Sequence, residues 1–310
     1  MMIYDKLIRR PLAFRSLTGL SIEEFGALYE EVADKINVYD ESRLNHRERE
    51  RGIGAGGQYK HDACNRLLMA MIWLRIYPTY DVLGFLFDLD KSNIGRNLQG
   101  ILTVLQQELG DEIQWPDKNQ RKQKLAAFMQ NFPDVVAVVD ATEQPTQRPK
   151  DGETQKTYYS GKKKRHTLKT QIVVAPNGEL MAVSQTVPGS QHDKKLYEES
   201  GVGDNLDDDE AIMGDSGFQG IQHGHRAVLP HKKPKGGELS QEQRNYNRRV
   251  SQVRVVVENS IGQIKIFRVA AEIYRHARES YNGIFQIVAA LVNRRIRQRP
   301  LRRTTWSVTI

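Results

Sequence analysis

The chain has 310 residues and a formal net charge of +8 at pH 7, so it can hold two or three domains and favours a polyanionic partner. Its single cysteine, Cys64, excludes an internal disulfide framework and a cysteine-based zinc site. No apolar run approaches the roughly 18 residues of a membrane span and residues 1–17 lack the apolar segment of a signal peptide, so we expect a cytoplasmic protein without a membrane partner.

The first 110 residues carry helical patterns and are expected to form one domain. Ser21 and Glu24 have the spacing of a capping box, which starts a helix whose apolar residues recur at helical spacing. A second helix is expected over residues 62–76, because Pro78 disfavours the helical conformation in the residue before it. A polar, Gly-rich arm at residues 46–57 separates the two helices.

A helix-turn-helix is predicted over residues 79–109. Thr79 can cap a short helix that ends at Phe87, residues 88–90 have the composition of a turn, and a longer helix follows. The second helix of such a motif presents its first turns to the major groove of DNA. An ordinary helical hairpin with a solvated polar face is the open alternative. The side chains expected to contact DNA are Lys91, Ser92, Asn93, Arg96 and Asn97.

The periodicity changes after a polar connector at residues 111–133. Runs rich in β-branched residues predict three antiparallel strands, of which the first is central, and a fourth, buried strand follows at residues 211–215. Later segments have helical spacing. Strands followed by helices predict a mixed α/β or α+β domain over residues 134–300, ahead of a tail at 301–310. The first three strands are expected at residues 135–140, 168–174 and 180–187.

Three acidic residues stand in settings that suit a metal centre. Asp140 and Asp215 each end a buried strand, and Glu258 lies in a long helix, off its core-facing stripe. Such carboxylates, brought together, form an all-oxygen site for two Mg²⁺ ions, which can activate a hydroxyl for attack on a phosphodiester. Each acid also has a plainer interpretation. The aspartates could cap the turns after their strands, and Glu258 could pair with Arg254 one helical turn earlier.

Other charged residues surround these acids in the sequence. The run from Lys162 to Arg165 precedes the strand expected beside that of Asp140, so it is either a phosphate-binding cluster or a solvated face. Glu143, His192 and Asp193 are candidates for orienting a metal ligand or a basic side chain, with helix capping as the alternative for the last two. Residues 207–210 have the composition of a solvated acidic loop. The members of the basic run are Lys162, Lys163, Lys164 and Arg165.

Four segments, in this order, resemble DDE transposases of the IS5 insertion-sequence family, which is related to Harbinger-type DDE endonucleases. They are Val139-Asp140-Ala141-Thr142-Glu143, residues 159–169, Pro188-Gly189-Ser190-Gln191-His192-Asp193 and Gly214-Asp215-Ser216-Gly217-Phe218-Gln219-Gly220. The resemblance implies an RNase H-like catalytic domain, a mixed five-stranded sheet flanked by helices, behind an N-terminal all-helical helix-turn-helix domain. Asp140, Asp215 and Glu258 fall on the three catalytic acid positions.

The same resemblance implies two Mg²⁺ ions, replaceable by Mn²⁺, and binding to terminal inverted repeats and target DNA by a homodimer or higher oligomer at a prokaryotic nucleoid. Strand cleavage is expected to be followed by strand transfer. Arg254 and Lys265 match a helix signature whose cations contact DNA, although Ser251 stands where its tyrosine is expected. Two alternatives stay open: a DNA-binding regulator without catalysis, and an RNase H-like nuclease that cleaves but does not join.

Overall fold

The structure, a computed structural model, describes residues 3–45, 59–125 and 132–298. The arm expected at residues 46–57 and the tail expected at residues 301–310 both lie outside these described residues. No helix in the described ranges is long and apolar enough to cross a membrane.

The regular secondary structure in the described part of residues 3–125 is entirely helical. The capping box at the start of α3 is confirmed, because the Glu24 carboxylate accepts from the Ser21 amide at 2.6 Å and the Ser21 hydroxyl accepts from the Glu24 amide at 3.1 Å. The second expected helix corresponds to α4, which is buried along most of its length. The helices are α1 (Ile3–Leu7), α2 (Pro11–Thr18), α3 (Ile22–Asn45), α4 (Ala63–Ile76), α5 (Tyr80–Phe87), α6 (Lys91–Glu108) and α7 (Lys118–Leu125).

The pair α5 and α6 has the expected helix, turn and helix. The Thr79 hydroxyl accepts from the Val82 amide at 3.4 Å and so caps α5, which ends at Phe87 and is followed by Asp88 in the left-handed conformation. Ile94, Leu98 and Ile101 of α6 are buried. These apolar contacts fix which side of α6 faces outward.

A mixed sheet follows, with β1 at its centre. β1 pairs antiparallel with β3 and parallel with β6, and β7 pairs parallel with β6. β4 and β5 both pair with the edge of β3 that faces away from β1, so together they occupy the place of one strand. The strands are β1 (Val135–Pro145), β2 (Tyr159–Ser160), β3 (Arg165–Val174), β4 (Leu180–Val183), β5 (Val187–Pro188), β6 (Ala211–Met213) and β7 (Arg226–Val228).

The short strand β2 also pairs antiparallel with β3, so the order across the sheet is β2/β5/β4, β3, β1, β6, β7, with three antiparallel positions followed by two parallel ones. This is the mixed, effectively five-stranded sheet expected of an RNase H-like domain, and the fold class is confirmed. The strand expected at residues 180–187 is interrupted between β4 and β5. β7 has only three residues in a polar stretch, which explains why its position was not predicted.

Four more helices pack against this sheet: α8 (Gly152–Tyr158), α9 (Asp193–Glu199), α10 (Gln241–Lys265) and α11 (Tyr281–Gln298). A second capping box, between Ser240 and Gln243, starts α10. α11 contacts both α10 and α6, and the buried side chains of the helical region and of the sheet form one continuous cluster. The domain boundary near residue 110 accordingly stays a prediction.

The helical region meets the sheet beside the C-terminal end of β1. The Tyr274 amide donates to the Pro145 carbonyl at 2.8 Å, and the next amide, that of Arg275, donates to the Tyr77 hydroxyl at 2.8 Å. The Tyr80 ring of α5 lies 5.4 Å from that of His276. These contacts place α5 on the same side of the sheet centre as Pro145.

The expectation of a solvated acidic loop at residues 207–210 is wrong for Glu210. This carboxylate is only 2% exposed and accepts two hydrogen bonds from Arg121, at 2.9 and 2.8 Å. Arg121 also donates to Asp207 at 2.9 Å. The connector helix α7 therefore holds the segment that leads into β6.

Candidate active site

Asp140 lies on β1 at the point where the strand leaves the buried core. Its carboxylate accepts from its neighbour's amide, that of Ala141, at 2.7 Å and from the Arg254 guanidinium at 2.9 Å. Burial raises the pKa of the Asp140 carboxyl above its ordinary value, Arg254 opposes this, and the negative charge of Asp215 adds to it. The two aspartates are therefore electrostatic neighbours.

Asp215 reaches this place because β6 runs parallel to β1. Met213 at the end of β6 is the partner of Val138, so the chain two residues further on comes level with Asp140. The Asp215 carboxylate accepts from the Gly217 amide at 2.7 Å and begins a short 3-10 turn. A Cβ at position 217 would come 2.7 Å from Asp193 and 2.9 Å from Asp215, so a side chain there would collide with both carboxylates.

Glu258 lies on α10, on the face that looks toward β1. Arg254, one turn earlier, reaches Asp140, and Lys265, two turns later, reaches the Glu143 carbonyl at 3.2 Å. These three side chains share one face at 100° per residue, so Glu258 stands between the two contacts, alongside β1. It is exposed, and no group of three His, Cys, Asp or Glu at metal-binding spacing occurs within the described ranges.

Lys265 was expected to contact DNA, and in this structure its ammonium is held by oxygen atoms of the protein. Its ammonium donates to the carbonyls of Glu143 at 3.2 Å and Ala270 at 2.6 Å, and to the Gln144 side chain at 3.2 Å. Burial lowers its pKa to about 8. All three donors are used inside the protein, so Lys265 ties the end of α10 to β1 and has no donor left for a phosphate.

Glu143 and Asp193 hold the elements around the acids together. The Glu143 carboxylate accepts from the Thr167 hydroxyl of β3 at 2.7 Å. Asp193, the first residue of α9, pairs with Lys169 of β3 at 2.8 Å, and Lys169 also donates to the Gln191 carbonyl at 2.6 Å. Lys169 is the basic side chain that the sequence left unassigned, although it ends the second family-like segment. It is only 7% exposed.

His192 takes no part in this network. It occupies the N-cap position of α9 without a side-chain capping bond, and it is exposed. The structure therefore shows neither a capping hydrogen bond nor a contact with the acids for the His192 imidazole.

The basic run forms the exposed turn between β2 and β3. The Lys163 amide donates to the Ser160 hydroxyl at 3.1 Å and the Lys164 amide to the Ser160 carbonyl at 2.8 Å, and Lys164 adopts a left-handed φ of 54°. The positive charge of Lys162 opposes the rise in the pKa of Asp140, and that of Lys163 adds to the lowering of the Lys265 pKa that burial causes. The turn therefore lies at the mouth of the site.

The outer surface of α6 carries most of the side chains expected to contact DNA. Lys91, Ser92 and Arg96 are exposed, and Asn93 is half-buried. Asn97 differs from these residues, since it is 6% exposed and its side-chain amide donates to the Asn93 carbonyl at 2.7 Å. It lies one turn before buried Ile101, so the helix directs it inward.

The donor chemistry of the site fits divalent cations. Asp140 and Asp215 supply carboxylate oxygens, the ligands that Mg²⁺ prefers, and their mutual repulsion would be relieved by a cation between them. Glu258 is a third carboxylate on an adjoining surface. Arg254 already neutralises part of the charge on Asp140.

Comparison with known proteins shows the family to which the chain belongs. Residues 139–293, half of the chain, match the family described as DDE superfamily endonuclease. The chain is also 32% identical, over 74% of its length and 79% of the relative's, to the probable transposase for insertion sequence element IS702 from Microchaete diplosiphon. The matched region contains all three acids and the whole of α10. The chain therefore belongs to the DDE superfamily of endonucleases and, within it, to the DDE transposases, as its resemblance to the IS5 family indicated.

Proposed function

We propose that this protein is a cut-and-paste transposase, which binds the terminal inverted repeats of its element, cleaves the DNA there and joins the ends to target DNA. The observation that carries the proposal is that Asp140, midway along β1, and Asp215, two residues past the end of the parallel strand β6, are neighbours, with α10 alongside. Strands hold both acids rigidly, as metal-dependent phosphodiester chemistry requires.

Asp140, Asp215 and Glu258 would hold the two Mg²⁺ ions, or Mn²⁺ in their place. When bound, the ions supply charge stabilisation at the attacking and leaving oxygens. The protein's own groups do the positioning. The pair of Lys169 and Asp193 fixes α9 against β3, and α9 packs against the turn that follows Asp215. Lys265 fixes the end of α10 against β1 at Glu143.

A cleavage assay tests the proposal. DNA that carries the gene with its flanks would be incubated with the protein and Mg²⁺ or Mn²⁺, and the break points and joined products would be sequenced. We expect breaks at inverted repeats outside the reading frame, followed by joined products. Breaks without joining would favour the nuclease that does not transfer strands, and binding without breaks would favour the regulator.

Arg96 is proposed to read the repeat from the outer face of α6. It is exposed, and its guanidinium donates to the Asn93 side chain at 3.0 Å, which leaves further donors for DNA. Arg96→Ala is expected to weaken binding to the repeat by about 1–3 kcal/mol, more than binding to random duplex. Fluorescence anisotropy on both DNAs measures this, with Lys35→Ala on α3 as an exposed control.

An equal loss on the two DNAs would show that Arg96 contacts phosphate only. No loss on either would remove α6 from the DNA interface and return the pair α5 and α6 to an ordinary helical hairpin.

The basic turn is proposed to hold DNA over the acids without reading its sequence. Neutralising Lys163 and Arg165 together is expected to lower affinity similarly for all sequences. The slope of log affinity against log salt should flatten by about 1–2 units, since each lost phosphate contact removes roughly 0.9. Salt titrations of wild type and the double variant measure this, with Arg9→Gln/Lys35→Gln as the charge-matched control. An unchanged slope would mean that the turn is a solvated face.

We also propose that the protein acts as a homodimer or higher oligomer on DNA. An element has two inverted ends, and a two-fold symmetric pair of protomers presents the same surface to each of them. Sedimentation with one and with two repeat-containing duplexes tests this. A complex that stays monomeric with both ends present would contradict it.

A further inference from the structure

A second cluster of cations lies between β7 and the first half of α10, and neither the sequence analysis nor the site described above uses it. Residues 231–249 contain six lysines and arginines and only two carboxylates, Glu238 and Glu242. All six cations are exposed. Within the described residues they make one ion pair, between Arg244 and Glu238 at 4.0 Å. The six, called here the second basic surface, are Lys232, Lys233, Lys235, Arg244, Arg248 and Arg249.

The loop that carries the lysines is anchored. The Asn247 side chain accepts from the His231 amide at 2.8 Å and donates to the His231 carbonyl at 2.9 Å. The Gln219 side chain donates to the Pro230 carbonyl at 2.7 Å, and the rings of His231 and Tyr246 lie 4.9 Å apart. The loop and α10 therefore present their cations as one surface.

This surface adjoins the acids. β7 ends beside β6, since Val228 is the partner of Met213 and its carbonyl accepts from the Gly214 amide at 3.2 Å. The loop thus starts next to Asp215. On α10, Arg248 precedes Arg254 by six residues, or about 9 Å of helix, and Arg254 contacts Asp140.

The second basic surface and α5 lie on opposite sides of the acids. From Arg254 to Lys265, α10 follows β1 from Asp140 toward Glu143, so its first half extends the other way. The end of β1 near Pro145 is where the helical region docks, through Tyr274 and Arg275. A duplex that crosses the acids from the helical region would arrive at these six cations.

From this order we infer that the second basic surface binds the DNA outside the element, the flanking duplex that continues past the cleaved bond. The inference rests on the proposed function, because it takes α6 and the basic turn to hold the repeat. Flanking DNA differs at every insertion site. Exposed lysines and arginines, which bind phosphates regardless of sequence, suit such a partner.

Two duplexes test this inference. One ends flush at the tip of the inverted repeat next to the gene, and the other is extended by about 10 base pairs, one helical turn, of flanking DNA. With wild type, we expect the extension to tighten binding and to steepen the salt dependence. Lys232→Gln/Lys233→Gln/Arg248→Gln should lose both increments, flattening the slope on the extended duplex by about 2–3 units, and should keep wild-type affinity for the flush duplex.

The controls separate the possible failures. Lys232→Arg/Lys233→Arg should retain the increments, and Arg9→Gln/Arg10→Gln/Lys35→Gln on the helical region should leave them unchanged. An equal loss on both duplexes, or no loss, overturns the inference. The flanking duplex can also be supplied as a separate molecule. If it then gives the same increase in affinity and salt dependence, the surface binds a second DNA, which also overturns the inference. Wild type that binds the repeat no better than a shuffled duplex overturns the proposed function itself.

Discussion

Asp140→Asn, Asp215→Asn and Glu258→Gln are each expected to reduce metal-dependent DNA cleavage by more than about 100-fold, beyond the 10–100-fold typical of residues that only orient a ligand. Each change removes a carboxylate charge from the proposed metal site and leaves the exposed cations in place. Binding to DNA ends should therefore change little. Gel-based cleavage and anisotropy on the same preparations measure the two effects.

Glu198→Gln on α9 is a suitable control, since this exposed carboxylate pairs with Lys194 on the same helix at 3.5 Å. A variant of Asp140, Asp215 or Glu258 that keeps near-normal cleavage would remove that residue from the site. The Glu258 variant is the most informative of the three, because Glu258 is exposed and no group of three potential metal ligands occurs in the described ranges.

The Asp140→Asn variant is also expected to change how the stability of the protein depends on pH. The pKa of Asp140 is raised by burial, so its folded form binds protons more readily than the unfolded chain. Its contribution to stability is consequently most favourable at low pH, and falls as pH rises from the ordinary value of 3.8 through the raised one. Asp140→Asn lacks this loss, so its melting temperature relative to wild type should increase across that interval. An increase shows that lost cleavage is not lost folding.

Arg121→Met is expected to destabilise the protein by about 3–5 kcal/mol, the range for breaking a buried ion pair. Arg121 is 7% exposed and Glu210 2%, so the variant leaves a carboxylate buried without its partner. Arg121 also donates to the Pro116 carbonyl at 2.6 Å. Urea unfolding followed by circular dichroism measures the free energy of unfolding.

The double variant Arg121→Met/Glu210→Met removes both charges and should recover much of the loss, since a buried pair can often be replaced by apolar side chains. A double variant no more stable than Arg121→Met would show that the charges are not coupled. Because Glu210 precedes β6, whose end positions Asp215, we expect Arg121→Met to lower cleavage as well.

Local sequence patterns predicted the secondary structure of much of the chain. The capping box at Ser21 and the cap at Thr79 are short-range hydrogen bonds, so their residue spacing predicts them directly. The β-branched runs predicted β1 and β3, and the fold class followed from the order of strands and helices. Two of the family-like segments contain Asp140 and Asp215, and the helix signature with Arg254 and Lys265 contains Glu258, so the resemblance indicated the three candidate acids.

Tertiary structure decided the roles of individual charges, because a cation's partner depends on which strand or helix lies beside it. Lys265 and Arg254 share one face of α10, yet the first is enclosed by carbonyl oxygens of β1 and the following loop, and the second meets Asp140. Glu210 pairs with Arg121, which lies 89 residues earlier in the sequence. The sequence by itself determined the family and the fold class and indicated the three candidate acids, since these depend on local pattern. The burial of Asn97, the pairing of Lys169 with Asp193 and the position of the second basic surface arose only when distant segments packed together.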